Sequence, residues 1–302
     1  MEYKNLPDMR GWAALRAVIE RGSLSAATDS LNVGQPAVTK RLRALEACYG
    51  LPLIERVGGR MRLTKAGEKV YVLAVQTLDR QLALRQELQS LAHGQSTLRL
   101  ESTIAIGEHF LPQMLLKFAE RHQQFKIENR LVYNRQMQSN LANRLSDVAL
   151  MERAPDHPDL MVQKWMDDEL WLVCGPNHPL AGEQSIPIEG LTELSYVLRE
   201  RGSSPRIDLE EALDRAGIAE LNVMLEVGST DTLVEVLMPG THASFLPRFA
   251  VESAVAAGRL HHIGVSGFHI LRTLWIARHR DNVDNPAADA FISVIRDTKS
   301  AT

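Results

Sequence analysis

Residues 22–68 read GSLSAATDSLNVGQPAVTKRLRALEACYGLPLIERVGGRMRLTKAGE. Ser23 stands where a helix N-cap is expected, ahead of a short helix from Ala26 to Leu31. Asn32-Val33-Gly34 makes a tight turn. A second helix then runs from about Pro36 to Tyr49, with proline in the first turn where its missing N–H costs nothing. Val38, Leu42 and Leu45 recur at helical spacing and face inward. Upstream, Trp12, Leu15, Ala17, Val18 and Ile19 form the apolar face of another helix, stopped by Arg21-Gly22. Downstream, Ile54 to Leu63 reads as a basic hairpin with Gly58-Gly59 at its tip. Two helices joined by a short turn, the second opening on polar residues, is the geometry that carries a recognition helix into a major groove.

The exposed positions of that recognition helix are Gln35, Pro36, Thr39, Lys40 and Arg43, with Arg41 beside them. Gln pairs bidentately with adenine and Arg with guanine, while Lys and Thr reach phosphates. Arg56, Arg60 and Arg62 on the hairpin are placed to follow the backbone or enter a minor groove. Each residue alone reads as solvated surface; the spacing of the set points to DNA. Charge agrees. Residues 1–65 hold eleven Lys/Arg against six Asp/Glu, although the whole chain carries −3. A basic head on an acidic body meets a polyanion with the head.

Residues 66–93 contain no Pro and one Gly, Gly67. Tyr71, Val75, Leu78 and Leu82 follow a four-three-four spacing, continued in a shifted register by Leu84, Leu88 and Leu91. The reading is a single helix of roughly 40 Å with a seam for a partner helix. Leu78 and Leu82 are expected to bury against that partner. His93 to Thr97 is the expected hinge. Beyond it, strands are expected at 98–103, 127–133, 147–151, 170–174, 196–198, 224–227, 243–246 and 274–277. Helices are expected at 110–121, 208–216, 230–237, 248–257 and 286–298. The alternation implies an α/β body with mostly parallel sheets.

The run from Gly22 to Gly67 resembles the winged helix-turn-helix of LysR-type transcriptional regulators. The resemblance rests on Gly22-Ser23, Ala26-Ala27, Leu31, Gln35-Pro36-Ala37-Val38, Leu45-Glu46, Gly50-Leu51-Pro52-Leu53, Glu55-Arg56 and Leu63-Thr64-Lys65-Ala66-Gly67. The body is similar to that family's effector domain through Asp147-Val148-Ala149-Leu150, Pro176-Asn177-His178-Pro179-Leu180-Ala181, Leu246-Pro247 and Gly258-Arg259-Leu260. Gly34 replaces the family's usual Ser, Ile54 its usual Phe, and Pro239 to Ala243 its usual glycine pair.

The resemblance implies an α/β architecture with an N-terminal winged helix-turn-helix (1–65), a long linker and dimerisation helix (66–93), and a two-lobed, periplasmic-binding-protein-like effector domain (94–302). Lobe one would comprise about 97–167 and 274–302, and lobe two about 168–273. It also implies a homodimer or dimer of dimers on double-stranded promoter DNA, and contact with RNA polymerase. A small effector is expected in the interlobe cleft, at strand ends and helix N-termini. Ser102 and Thr103, Ser203 and Ser204, and Ser229 and Thr230 occupy three such places and suit a small anion. Arg199 and Arg206 flank the second and could supply a countercharge.

An enzyme is the first rival. The sequence has no Gly-x-Ser-x-Gly elbow, P-loop, dinucleotide fingerprint, His-Glu-x-x-His or Cys-x-x-Cys, so no catalysis, cofactor or metal is expected. A solute receptor is disfavoured by the basic head and by an N-terminus without signal-peptide character, and a ligand-free nucleoid protein leaves the body unexplained. Two distant cysteines, Cys48 and Cys174, exclude a disulfide framework. With 45% hydrophobic and 24% charged residues, the chain reads as globular rather than disordered. It is expected to be cytoplasmic and free of membrane contact.

Overall fold

The computed structural model describes residues 6–93, 96–218, 220–282 and 285–299. The chain forms two units, Met1–His93 and Gly94–Thr302. Among the described residues no helix is long and apolar enough to cross a membrane.

Unit one contains α1 (Met9–Arg21), α2 (Leu24–Leu31), α3 (Gln35–Tyr49), the hairpin β1 (Ile54–Val57) and β2 (Arg60–Leu63), and α4 (Lys65–His93). The Asp8 carboxylate caps α1 through the Arg10 N–H at 3.0 Å, and Ser23 Oγ caps α2 through the Ala26 N–H at 3.1 Å. Both satisfy donors that a helix start leaves unpaired. The chain leaves α1 and α3 through Gly22 and Gly50 at φ +76° and +69°, the left-handed conformation that glycine adopts without strain. Leu15, Val18, Ala27, Val38, Leu42, Leu45 and Leu53 form the core. The wing is fixed to it by polar contacts. Glu46 Oε1 accepts from the Leu53 N–H at 2.8 Å, and the Met61 N–H donates to the Gly22 carbonyl at 3.2 Å. Tyr71, expected in the partner seam, is half-buried and packs against this core. Leu82 and Leu88 remain 57% exposed.

Unit two is built on β3 (Ser96–Ser102), β4 (Phe125–Leu131), β5 (Val148–Met151), β6 (Leu160–Cys174), β7 (Ser185–Ile186), β8 (Ser195–Arg199), β9 (Asn222–Val227), β10 (Ala243–Pro247), β11 (His261–Val265) and β12 (Ile270–His279). Its helices are α5 (Ile104–His109), α6 (Leu111–Arg121), α7 (Asn134–Ala142), α8 (Ser204–Ala216), α9 (Thr230–Leu237), α10 (Arg248–Ala256) and α11 (Pro286–Lys299). The strand order is β4-β3-β5-β12-β6-β10-β8-β9, with β11 on β6 and β7 on β11.

The expectation of mostly parallel sheets is corrected. Parallel blocks lie at each end, β4-β3-β5 and β10-β8-β9. Between them β12 and β6 run antiparallel to each other and to their outer neighbours β5 and β10. These two strands are continuous through the boundaries expected near 167/168 and 273/274, so they join both halves of the sheet. One core gathers Leu98, Leu100, Leu150, Phe118 and Phe291; others gather Tyr196, Phe245 and Leu209, and Val197, Leu233 and Leu246.

Local differences have local causes. The expected 110–121 helix begins afresh at Leu111 after α5, with Pro112 in its first turn. Helix α7 is absent from the sequence-based expectation, because only Met137, Asn140 and Leu141 face inward. Residues 94–95 of the expected hinge, and the Leu91 side chain, lie outside the described residues.

Candidate functional site

Helix α3 buries Val38, Leu42 and Leu45, which turns its opposite face outward. Gln35, Pro36, Lys40 and Arg43 are exposed, and Thr39 and Arg41 are half-buried. Gln35, Pro36, Thr39, Lys40 and Arg43 line one surface hollow, so five residues singled out by their spacing share one face. Arg41 is not among them. A second hollow, over the α2–α3 turn, is lined by Ser25, Thr28, Asp29, Asn32, Val33, Gly34 and Gln35. The sequence reading misses Ser25 and Thr28, although both are polar and sit on the helix preceding the turn. Gly34 caps α3 without a side-chain hydrogen bond, as expected from its missing oxygen. Arg56, Arg60 and Arg62 are exposed on the hairpin. Arg62 lies opposite Glu55 in the ladder.

In unit two the hydroxyl residues fall at strand ends and helix starts. Ser102 ends β3, and Thr103 precedes α5. Both are buried, and neither hydroxyl has a hydrogen-bond partner among the described residues. A buried polar atom without a protein partner is unusual in a native core. Thr230 opens α9 fully buried, and its Oγ1 accepts from Arg199 Nη1 at 3.1 Å. Ser229 caps α9 through the Thr232 N–H, and its Oγ lies 3.4 Å from Glu108 Oε1. Ser203 precedes α8, and its hydroxyl donates to the Glu200 carbonyl at 2.8 Å. Ser204 is buried beside it. The contacts therefore gather Arg199, Glu200, Ser203, Ser229 and Thr230 with Glu108. No hydrogen bond among the described residues joins Ser203 or Ser204 to Ser102 or Thr103.

The two candidate countercharges already hold carboxylates of this chain. Arg199 is 4% exposed and grips Glu200 in a two-pronged pair, at 2.8 and 3.0 Å. Glu200 also accepts from the Tyr133 hydroxyl at 2.9 Å. Burial alone would raise the Glu200 carboxyl, but Arg199 and Tyr133 hold it below its ordinary value. Arg206, also buried, pairs with Glu210 at 2.7 Å and Glu226 at 3.4 Å and donates to the Arg199 carbonyl at 3.2 Å. Burial, and then the charge of Asp231, push the Glu108 carboxyl up. Burial pushes the His109 imidazole down against the pull of Asp231.

A buried charge cluster invisible to motif reading lies on the crossing strands. Arg272 of β12 contacts Asp168 at 2.7 Å, Glu152 at 2.8 Å and Asp208 at 3.5 Å. Glu152 follows β5 and Asp208 lies on α8, so the guanidinium ties together both halves of the sheet. Arg153 reaches Asp208 and Glu211 beside it.

Comparison with known proteins places this geometry. Residues 9–68 match the family profile "Bacterial regulatory helix-turn-helix protein, lysR family", and residues 92–300 match "LysR substrate binding domain". The chain is 26% identical over 282 residues to the HTH-type transcriptional activator CmpR of Synechocystis, covering 92% of this chain and 91% of that protein. Full-length CbnR, solved with its target DNA, superposes with a TM-score of 0.69 at 21% identity, covering 96% and 99% of the two chains. The Synechocystis CcmR regulatory domain, solved with 2-PG, gives 0.61 at 23% identity, covering 67% and 97%. With both units matched by the family's two profiles, in chain order, the chain belongs to the LysR family of DNA-binding transcriptional regulators.

Proposed function

We propose that this regulator docks α3 in a major groove and lays its wing along the backbone, with Gln35, Pro36, Thr39, Lys40, Arg41, Arg43, Arg56, Arg60 and Arg62 in contact with promoter DNA. The shared exposed face of Gln35, Pro36, Thr39, Lys40 and Arg43 carries the reading. Residues 1–65 act as the reading head, 66–93 as the pairing helix and 94–302 as the two-lobed sensor. It works in the cytoplasm, not as an enzyme, and passes its signal to RNA polymerase. The primary test is binding of the purified chain to fragments recovered by genome-wide mapping. A preference over random DNA supports the reading; equal affinity overturns it.

The DNA-competent form is a homodimer or a dimer of dimers, paired through α4. A fully buried Leu contributes about 1.5–3 kcal/mol, and Leu82 and Leu88 are exposed in the single chain. The pair Leu82→Glu and Leu88→Glu is expected to yield folded monomers in sedimentation that bind DNA weakly. A double variant still dimeric at low micromolar concentration removes α4 as the principal interface.

The effector is a small anion received by Ser102, Thr103, Ser203, Ser204, Ser229 and Thr230. The unpartnered Ser102 and Thr103 hydroxyls support this, as does Arg199 at Thr230. The anion competes with Glu200 for that guanidinium. Binding biases the lobes only as far as it prefers one arrangement. In calorimetry with a panel of small organic and inorganic anions, Thr103→Ala is expected to weaken the responding anion roughly tenfold, the scale of one hydrogen bond to a charged group. Ligand-free DNA binding is expected to stay unchanged. An apolar or cationic effector, or affinity untouched by both Thr103→Ala and Ser203→Ala, overturns the assignment.

A further inference from the structure

Glu108, His109 and Asp231 bring three metal-ligating atoms within 4.8 Å of one another. Glu108 and His109 end α5, while Asp231 lies in the first turn of α9. His109 Nε2 stands 3.4 Å from Asp231 Oδ1. A tetrahedral centre with bonds of about 2.1 Å, the Zn–N and Zn–O length, has ligand–ligand edges of about 3.4 Å.

As it stands, the cluster is poorly satisfied. Among the described residues, His109 Nε2 and Glu108 Oε2 are both buried atoms without a hydrogen-bond partner. Surface carboxylates alone would mean little. An imidazole and a carboxylate with buried ligand atoms that no described residue satisfies, facing a second carboxylate, form a donor set suited to a cation. The neighbours also fit a metal site. Ser229 Oγ, 3.4 Å from Glu108 Oε1, can orient that carboxylate from outside. The edge of the His109 ring rests against Phe249, with centroids 6.2 Å apart.

We propose that Glu108, His109 and Asp231 form a binding site for a divalent transition cation of the Zn²⁺ type. One nitrogen and two carboxylate donors favour such an ion over Mg²⁺ or Ca²⁺, which take oxygen ligands. Three protein ligands leave a fourth position open. Ile106 of α5 packs in one core with Leu98 and Leu100 of β3 and Leu150 of β5, and α9 packs on β8 and β10 at the other end of the sheet. The bound ion therefore stabilises the arrangement that holds the two ends together. This last consequence rests on the interlobe sensor reading; the binding itself does not.

The test is titration of the untagged full chain with Zn²⁺ against a chromophoric chelator, with Mg²⁺ as control. One Zn²⁺ per chain is expected, unaffected by excess Mg²⁺. His109→Gln and Asp231→Asn are each expected to weaken it by at least about 10–100-fold, the loss that follows even when only an outer partner of a ligand is removed. Asp231 has a 63% exposed side chain, so Asp231→Asn is expected to melt like the parent in chelator. Zn²⁺ is expected to raise the parent's melting temperature but not that variant's. No Zn²⁺ uptake, equal uptake of Mg²⁺, or affinity unchanged in both variants overturns the site, the last outcome placing the ion on other histidines. DNA and anion titrations in chelator report on the regulator reading independently.

Discussion

Raising the salt from about 50 mM to about 200 mM is expected to weaken specific DNA binding by about 10⁴-fold. Residues 1–65 carry the excess of Lys and Arg, and Lys40, Arg43, Arg56, Arg60 and Arg62 are exposed. They offer roughly four phosphate contacts per head, or roughly eight for a pair, which predicts a log–log slope of about −7. Fluorescence anisotropy over a salt series measures it. A slope shallower than about −3 would mean that the wing or the second head does not engage the duplex. The two kinds of contact separate by mutation. Arg43→Ala or Gln35→Ala is expected to cost about 1–3 kcal/mol on the specific site and little on random DNA, since the truncated side chain can no longer bond a base edge in two places. Arg60→Ala is expected to weaken both alike and to flatten the slope by about 1 for each phosphate it leaves unneutralised. If Arg43→Ala and Gln35→Ala both leave the specific affinity unchanged, α3 is not the reading helix.

The head is the most legible part of the sequence because its signals are local. Gly22 and Gly50 stop helices through left-handed backbone, Ser23 caps α2, and Gly58-Gly59 turns the wing. Each can be read within a few residues. The body is legible where apolar runs are uninterrupted, as at β5 and β10. Strand β6 is expected from Leu170 but begins at Leu160. Lys164, Asp167, Asp168 and Glu169 break its pattern, and a carboxylate facing inward is costly without a partner. The partner, Arg272, lies opposite Asp168 in the β12 ladder. Only that pairing makes the strand readable, and no local rule supplies it. The same holds for the sensor site. Ser102, Thr103 and Thr230 stand out because strand-to-helix junctions are visible in sequence. That Glu200 occupies Arg199, and that Glu108 and His109 meet Asp231, follows from chain segments brought together by the sheet.

Replacing Arg272 is expected to cost about 3–5 kcal/mol, the penalty for leaving buried carboxylates without their counter-ion. That lowers the melting temperature by on the order of 10 °C in a body of this size. The guanidinium is 4% exposed and meets Glu152, Asp168 and Asp208, with the Phe249 ring 5.7 Å from its centre. Burial would disfavour its charge, yet the three carboxylates hold it firmly protonated. The carboxyls feel the opposite balance. Burial pushes Asp168 and Asp208 above their ordinary values, although Arg272 pulls both down. A carboxyl raised in the folded state adds stability at low pH, and this is lost as pH rises through the folded value. Removing Arg272 raises both further, so the penalty in Arg272→Met is expected to be largest near neutrality and to shrink as the carboxyls protonate. Thermal melts of parent and variant across about pH 5 to 8 measure this. Neutralising the cluster together, with Arg272→Met, Glu152→Gln and Asp168→Asn, is expected to restore most of the stability, because no unpaired charge then remains at those positions. An Arg272→Met variant as stable as the parent at neutral pH would mean that the crossing strands hold the two halves by packing alone.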